Sequence, residues 1–256
     1  MRPPIVFVTD FGRDDAYAAA LTGAVLRVEP NARCIDGTHG VPPGDVLAGA
    51  YQLKSLAIAF DVNLVLCAVV DPGVGTSRRA IAVDCGGVLC VAPDNGLVSY
   101  LWTECGEDER IAVSLDIPMY ASNTFHGRDV FAPAAAQLAA GASLDDVGEA
   151  IDDPVLLDDA FARRDALVVQ GRVAVIDHFG NAITTVRTSD VGSARITGVQ
   201  WDGGSTNAFV STYDEITGGV AALFGSADHL EIAAAGAPAA AQGGPARGSV
   251  VTVSLG

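Results

Sequence analysis

Hydrophobic and polar positions alternate along this chain in two textures. Residues 5–8 form a short apolar, β-branched run that ends in Thr9-Asp10-Phe11-Gly12, the pattern of a buried strand opening into a turn. From Asp14 the period lengthens. Tyr17, Leu21, Ala24, Val25 and Val28 recur at helical spacing, and Pro30 stops the segment. A second helix is predicted over 45–60, with Val46, Ala50, Leu53 and Ala57 on one face. An apolar strand over 63–70 then ends at Asp71-Pro72-Gly73. This order of strand, helix, helix and strand predicts an α/β domain with a mostly parallel sheet. In such sheets ligand groups gather beyond the carboxyl ends of the strands. Parallel strands would therefore bring Asp10 and Asp71 to one edge.

Further along, 79–91 reads as a β-hairpin turning at Gly86-Gly87, and Asp94-Asn95-Gly96 as a tight loop before 97–102. An alanine-rich helix is predicted over 130–140. The charged stretch 158–165 has no clear period and reads as a linker. Beyond it the texture changes to short apolar runs between glycines, at 168–169, 171–177, 182–186, 198–201, 208–210, 220–224, 230–233 and 249–255. These predict a smaller all-β domain, a sandwich or barrel, with 233–244 as an exposed loop. The expected domains are thus 1–160, α/β, and 168–256, all-β.

Composition narrows the partners. Half of the 256 residues are hydrophobic, enough for one large core or two smaller ones, yet no apolar run reaches the length of a membrane helix. The apolar stretch after Met1-Arg-Pro-Pro is too short for a secretory signal. Net charge is −16 and Lys54 is the single lysine, which disfavours nucleic acid. Five cysteines without a CxxC pair suggest buried thiols in a reducing, cytoplasmic compartment.

Three segments concentrate polar chemistry. Residues 71–79 offer an acid, two guanidinium groups and glycines that let backbone approach a ligand, although a plain turn with a surface ion pair fits the same letters. The glycine spacing and the missing lysine exclude a P-loop. Phe125-His126-Gly127-Arg128-Asp129 sets one of four histidines among polar groups. Asp177-His178-Phe179-Gly180-Asn181 closes a strand, and an Asx-type turn explains it equally well. No HxxxH, HxH or calcium-spaced carboxylate ladder is present, so no metal is expected.

Taken in order, these segments resemble the SAM hydroxide adenosyltransferases, relatives of the SAM-dependent fluorinases and chlorinases. The matching stretches are 9–12 with Asp14-Asp15, 70–75 through Arg78-Arg79, 92–96, 124–129, 177–181, and Gly225-Ser226 with 230–233. The resemblance implies cleavage of S-adenosylmethionine by water to adenosine and methionine, without a cofactor. It also implies a homotrimer whose sites lie between subunits. Within it, Asp71, Arg78 and His126 match the water-positioning triad, and Asp10 matches the acid that grips the ribose hydroxyls. Asp14, Asn95, Gly127, Asp177, Asn181 and Ser226 match other ligand-contacting positions, the last three at the methionine or adenine end. A fluorinase would carry Tyr in place of Asp71, Ser in place of Gly127, Trp in place of Gly44 and Arg in place of Ala227. A carboxylate in that pocket repels halide, which separates hydrolysis from halogenation. A SAM-binding sensor without turnover is the other alternative.

Overall fold

The computed structural model describes residues 2–60 and 63–256, which divide into two compact units, 1–157 and 158–256. In the first unit, β1 (Ile5–Thr9) lies between β2 (Cys34–Thr38) and β3 (Leu64–Val69), all parallel. Next to β3 comes β5 (Val88–Pro93), also parallel, then β4 (Ala80–Cys85), β6 (Arg110–Leu115) and β7 (Gly148–Ile151). Every pairing from β5 through β4 and β6 to β7 is antiparallel. The sheet is therefore mixed, and the expected mostly parallel sheet is corrected. The β4–β5 hairpin reverses the chain through two residues, which forces an antiparallel partner, and β6 and β7 extend the sheet from that side.

Hydrophobic pattern accounts for the elements that flank the sheet. Helix α1 (Tyr17–Val28) buries Leu21, Ala24 and Val25, while Tyr17 and Val28 at the ends of the predicted stripe remain exposed. Helix α2 (Val46–Phe60) buries Leu47, Ala50 and Leu53. α3 (Ser99–Glu104) follows the 94–96 loop, and α4 (Ala132–Ala140) is buried along most of its length. The first core joins Ile5 and Phe7 of β1, Val65 and Cys67 of β3, Leu21 of α1 and Phe131 with Leu138 near and in α4. Strand β2 was absent from the sequence reading because its letters, Cys-Ile-Asp-Gly-Thr, give no apolar run at a half-exposed sheet edge.

The second unit is one antiparallel sheet in the order β12 (Gly204–Thr206), β11 (Ile196–Trp201), β15 (Val250–Leu255), β9 (Val168–Ile176), β10 (Ala182–Arg187), β14 (His229–Ala234), β13 (Val220–Phe224). The chain after β12 bonds to the far edge: Val210 N–H donates to Ala222 C=O at 3.0 Å and Ala222 N–H to Ala208 C=O at 2.9 Å. This makes a near-barrel around Val173, Val199, Leu230, Ile232 and Val253. Stretch 158–165, expected as linker, belongs to this unit and contributes β8 (Arg163–Asp165), paired with β9. The predicted exposed loop 233–244 is also corrected: Ala239 is fully buried, and its N–H donates to Gly180 C=O at 2.9 Å.

Candidate active site

Because β1 and β3 are parallel neighbours, Asp10 and Asp71 emerge at the same edge of the sheet. Asp10 Oδ2 accepts the Gly44 N–H at 2.8 Å, which ties the loop after β1 to the one before α2. From Asp71 the chain folds into a compact loop, in which Val74 N–H donates to Asp71 C=O and the Thr76 hydroxyl to Gly73 C=O at 2.7 Å. Gly75 is needed there. It sits at φ +77°, and a Cβ would stand 2.4 Å from the Asn123 carbonyl oxygen. The loop thereby lies against the segment leading to His126.

Arg78 is the hub. Its Nε donates to Asp71 Oδ1 at 2.9 Å, and its Nη2 donates both to Asp71 Oδ2 and, at 2.9 Å, to His126 Nδ1. The guanidinium lies 5.1 Å over the Phe131 ring. Side-chain exposure is only 10% for Arg78 and 6% for Asp71, so the ion pair is largely desolvated and each charge depends on the other. Arg78 Nη1 is buried with no protein partner. A guanidinium cannot accept a proton, so His126 Nδ1 must present its lone pair, and the ring proton resides on Nε2.

His126 is buried and begins a π-helical turn, Gly127–Phe131, that runs into α4. Burial and then the Arg78 charge lower its pKa below the ordinary 6.5, against smaller opposing effects of Asp71 and Asp129. The sign follows. Between the lowered value and 6.5 the unfolded chain binds a proton that the folded one refuses. This contribution to stability is complete above 6.5 and is lost as pH falls through that window. If the neutral ring is required, the acid limb of kcat/KM assigned to His126 falls below pH 6.5; a limb at or above 6.5 contradicts a neutral, Arg78-bonded ring.

Gly127 leaves room for its neighbours. A Cβ there would stand 3.1 Å from Phe11 Cζ and 3.3 Å from Phe125 Cε2, within an aromatic cluster that Tyr17 completes. Arg128 and Asp129 pair with each other, and Asp129 also accepts the Ser122 N–H at 2.9 Å. Arg79, the second guanidinium of the 71–79 segment, leaves the cluster and binds Asp94 and Asp153. Asn95 donates to Val70 C=O at 2.9 Å and accepts from Leu97 N–H, so its amide supports the end of β3 beside Asp71. Asp14 is exposed in the loop before α1.

In the second unit, Asp177 forms an Asx-type turn. Its Oδ1 accepts the N–H of Phe179 and of Asn181, and its Oδ2 accepts from the Asn181 side chain at 3.0 Å. Ser226 is exposed between β13 and β14. Glu231 and Tyr213 received no role from sequence. Glu231 is buried, accepts from the Tyr213 hydroxyl at 2.6 Å, and has its pKa raised first by desolvation. Only its place in the 230–233 motif marked it. Among the described residues, no group of three or more His, Cys, Asp or Glu is arranged to hold a metal ion, and no helix is long and apolar enough to cross a membrane.

A mixed α/β unit with a desolvated acid–guanidinium–imidazole cluster at its strand ends, followed by a β near-barrel, defines a two-domain protein built to orient a small polar group. Residues 5–148 match the SAM hydroxide adenosyltransferase N-terminal domain, and 171–252 match its C-terminal domain. The chain belongs to the SAM hydroxide adenosyltransferase family. It is similar to the (R)-S-adenosyl-L-methionine hydrolase of Salinispora arenicola, at 46% identity over 70% of each chain. The (R)-S-adenosyl-L-methionine hydrolase of Thermus thermophilus is 36% identical over 90% of this chain and 91% of its own. The crystal structure of a conserved Thermotoga maritima protein superposes with a TM-score of 0.87, at 29% identity over 98% of this chain and 99% of that one.

Proposed function

We propose that this chain hydrolyses S-adenosylmethionine to adenosine and L-methionine, acting on the (R)-sulfonium epimer for which its relatives are named. The observation that carries this reading is the cluster at Arg78: one guanidinium binds Asp71 and His126 together and keeps a buried Nη1 without a protein partner. A water molecule that accepts from Nη1 and donates to Asp71 has its oxygen lone pair oriented for attack.

The attacking oxygen approaches ribose C5′ opposite the sulfur. The C5′–S bond breaks, and its electron pair neutralises the sulfonium, so methionine leaves without protonation. The oxygen that has bonded to C5′ must lose one proton. Asp71 is the acceptor in this scheme, because the Nδ1 lone pair of His126 is already engaged by Arg78 and Nε2 carries the ring proton. His126 holds Arg78 in the plane that serves Asp71. Alignment of water and C5′ adds a proximity effect to the proton transfer. No cofactor takes part, because the leaving group is already activated.

Asp10 grips the ribose hydroxyls in this reading, a task suited to a carboxylate with two acceptor oxygens. Asp14, Asn95 and Gly127 shape the same side of the ligand, while Asp177, Asn181 and Ser226 hold its methionine or adenine end. A homotrimer belongs to the same reading, and its sedimentation mass would be about three times 26.1 kDa. The five unpaired cysteines favour a reducing compartment such as the cytoplasm.

The test is incubation of the purified protein with resolved (R)- and (S)-epimers of SAM, followed by chromatography for adenosine and methionine. Adenosine is expected from the (R)-epimer, with release of one proton and no change on adding EDTA. Binding without adenosine would make the protein a sensor. Formation of 5′-chloro-5′-deoxyadenosine in chloride would make it a halogenase.

A further inference from the structure

His39 was not marked by the sequence pattern, yet it is 2% exposed at the end of β2, against the end of β1. Its Nδ1 lies 2.8 Å from the hydroxyl of Thr9, which is fully buried. The same hydroxyl oxygen accepts the Phe11 N–H at 3.2 Å. His39 Nε2 is buried without a hydrogen-bond partner of good geometry, and Asp36 Oδ1 stands 3.2 Å away. These contacts assign the proton. A bare Nε2 lone pair beside a carboxylate would be repelled, so Nε2 carries hydrogen and Nδ1 accepts from the Thr9 hydroxyl. The backbone reinforces the link, since Gly12 N–H donates to His39 C=O at 2.8 Å and Val41 N–H to Thr9 C=O at 3.2 Å.

Asp10 lies between Thr9 and Phe11, the two residues this relay holds. Its carboxylate is otherwise fixed by one bond, from Gly44 N–H. We infer that His39 is a positioning residue: through Thr9 it fixes the turn that aims the Asp10 carboxylate, and so sets how strongly the enzyme recognises ribose hydroxyls. The inference rests on the reading of Asp10 as the ribose contact.

The readout is the ratio of inhibition constants of 2′,3′-dideoxyadenosine and adenosine against SAM hydrolysis, which isolates the hydroxyl contacts. His39→Ala is expected to lower that ratio about tenfold, the effect of weakening a hydrogen bond to a charged group. Thr9→Val, which keeps shape and removes the hydroxyl, should match it, and the double variant should fall no further, since both act on one chain of contacts. His39→Asn, whose amide oxygen can take the place of Nδ1, should keep the ratio within about threefold of the parent. A purely structural His39 would lower the thermal midpoint and leave the ratio untouched. If His39→Ala does not fold, Thr9→Val decides alone. An unchanged ratio in these variants, with a fall in Asp10→Ala, overturns the positioning role by itself. An unchanged ratio in Asp10→Ala overturns the ribose reading, and the inference with it.

Discussion

Replacing Arg78 by methionine is expected to lower kcat by at least about 10³-fold and folding stability by about 3–5 kcal/mol, the cost of leaving a buried charge uncompensated. Both effects have one cause. Arg78 supplies three printed contacts of the cluster, two to Asp71 and one to His126, from a side chain that is 10% exposed. Without it the Asp71 carboxylate faces a half-apolar pocket alone, and His126 Nδ1 loses the donor that sets its tautomer. Methionine fills much of the space over Phe131 and so limits the cavity contribution. Arg78→Lys separates charge from shape. An ammonium restores a cation but not the planar fork, so it should recover part of the stability and little of the rate. Urea melts and steady-state kinetics on the three proteins measure both quantities. A methionine variant that turns over within tenfold of the parent removes Arg78 from the chemistry.

Asp71→Asn should lower kcat by about 10²- to 10⁴-fold while SAM binds with nearly unchanged Kd. That range is typical for loss of a positioned proton acceptor. The substitution keeps size and one acceptor oxygen, but its amide nitrogen faces Arg78 donors and cannot take a proton. The His126 contact to Arg78 survives, so the loss reports the carboxylate rather than collapse of the cluster. Single-turnover rates together with calorimetric titration of SAM separate the two terms. Equal losses in kcat and in SAM affinity would make Asp71 a binding group instead. The same variant bears on halide chemistry, since removing the repelling charge without building a halide pocket should yield no chlorinated nucleoside.

Much of the first unit was legible in one dimension. The run at β1, the stripe of α1, the Gly86-Gly87 turn and the strand ending before Asp71 each carry a local signal that survives folding. The missing strands have a common explanation. β2 contains Asp36 and Gly37, and β7 is four residues long at the sheet edge, so neither presents an apolar period. Their pairing is decided by the partner strand rather than by their own letters. Without β6 and β7 the antiparallel half of the sheet could not be counted. In the second unit the short runs were visible as strands, but Ala239 looked like loop because only the fold brings Gly180 to its N–H.

The site divides in the same way. Asp71, Arg78 and His126 are conspicuous as letters, because acids, guanidinium groups and glycines crowd into loops after strands. The division of labour between Arg78 and Arg79 is not in the letters: adjacent side chains leave the chain in opposite directions, one to Asp71 and the other to Asp94 and Asp153. Nor is the protonation of His126, which depends on a donor 48 residues away and on burial that many segments create together. His39 is the extreme case, a histidine whose meaning comes wholly from Thr9 and Asp36 around it. Residue type and spacing determine which chemistry this chain can offer, because acids, bases and turn-formers are properties of single residues. Which groups meet, which are desolvated and which proton sits where are properties of pairs distant in sequence, and only packing in three dimensions creates those pairs.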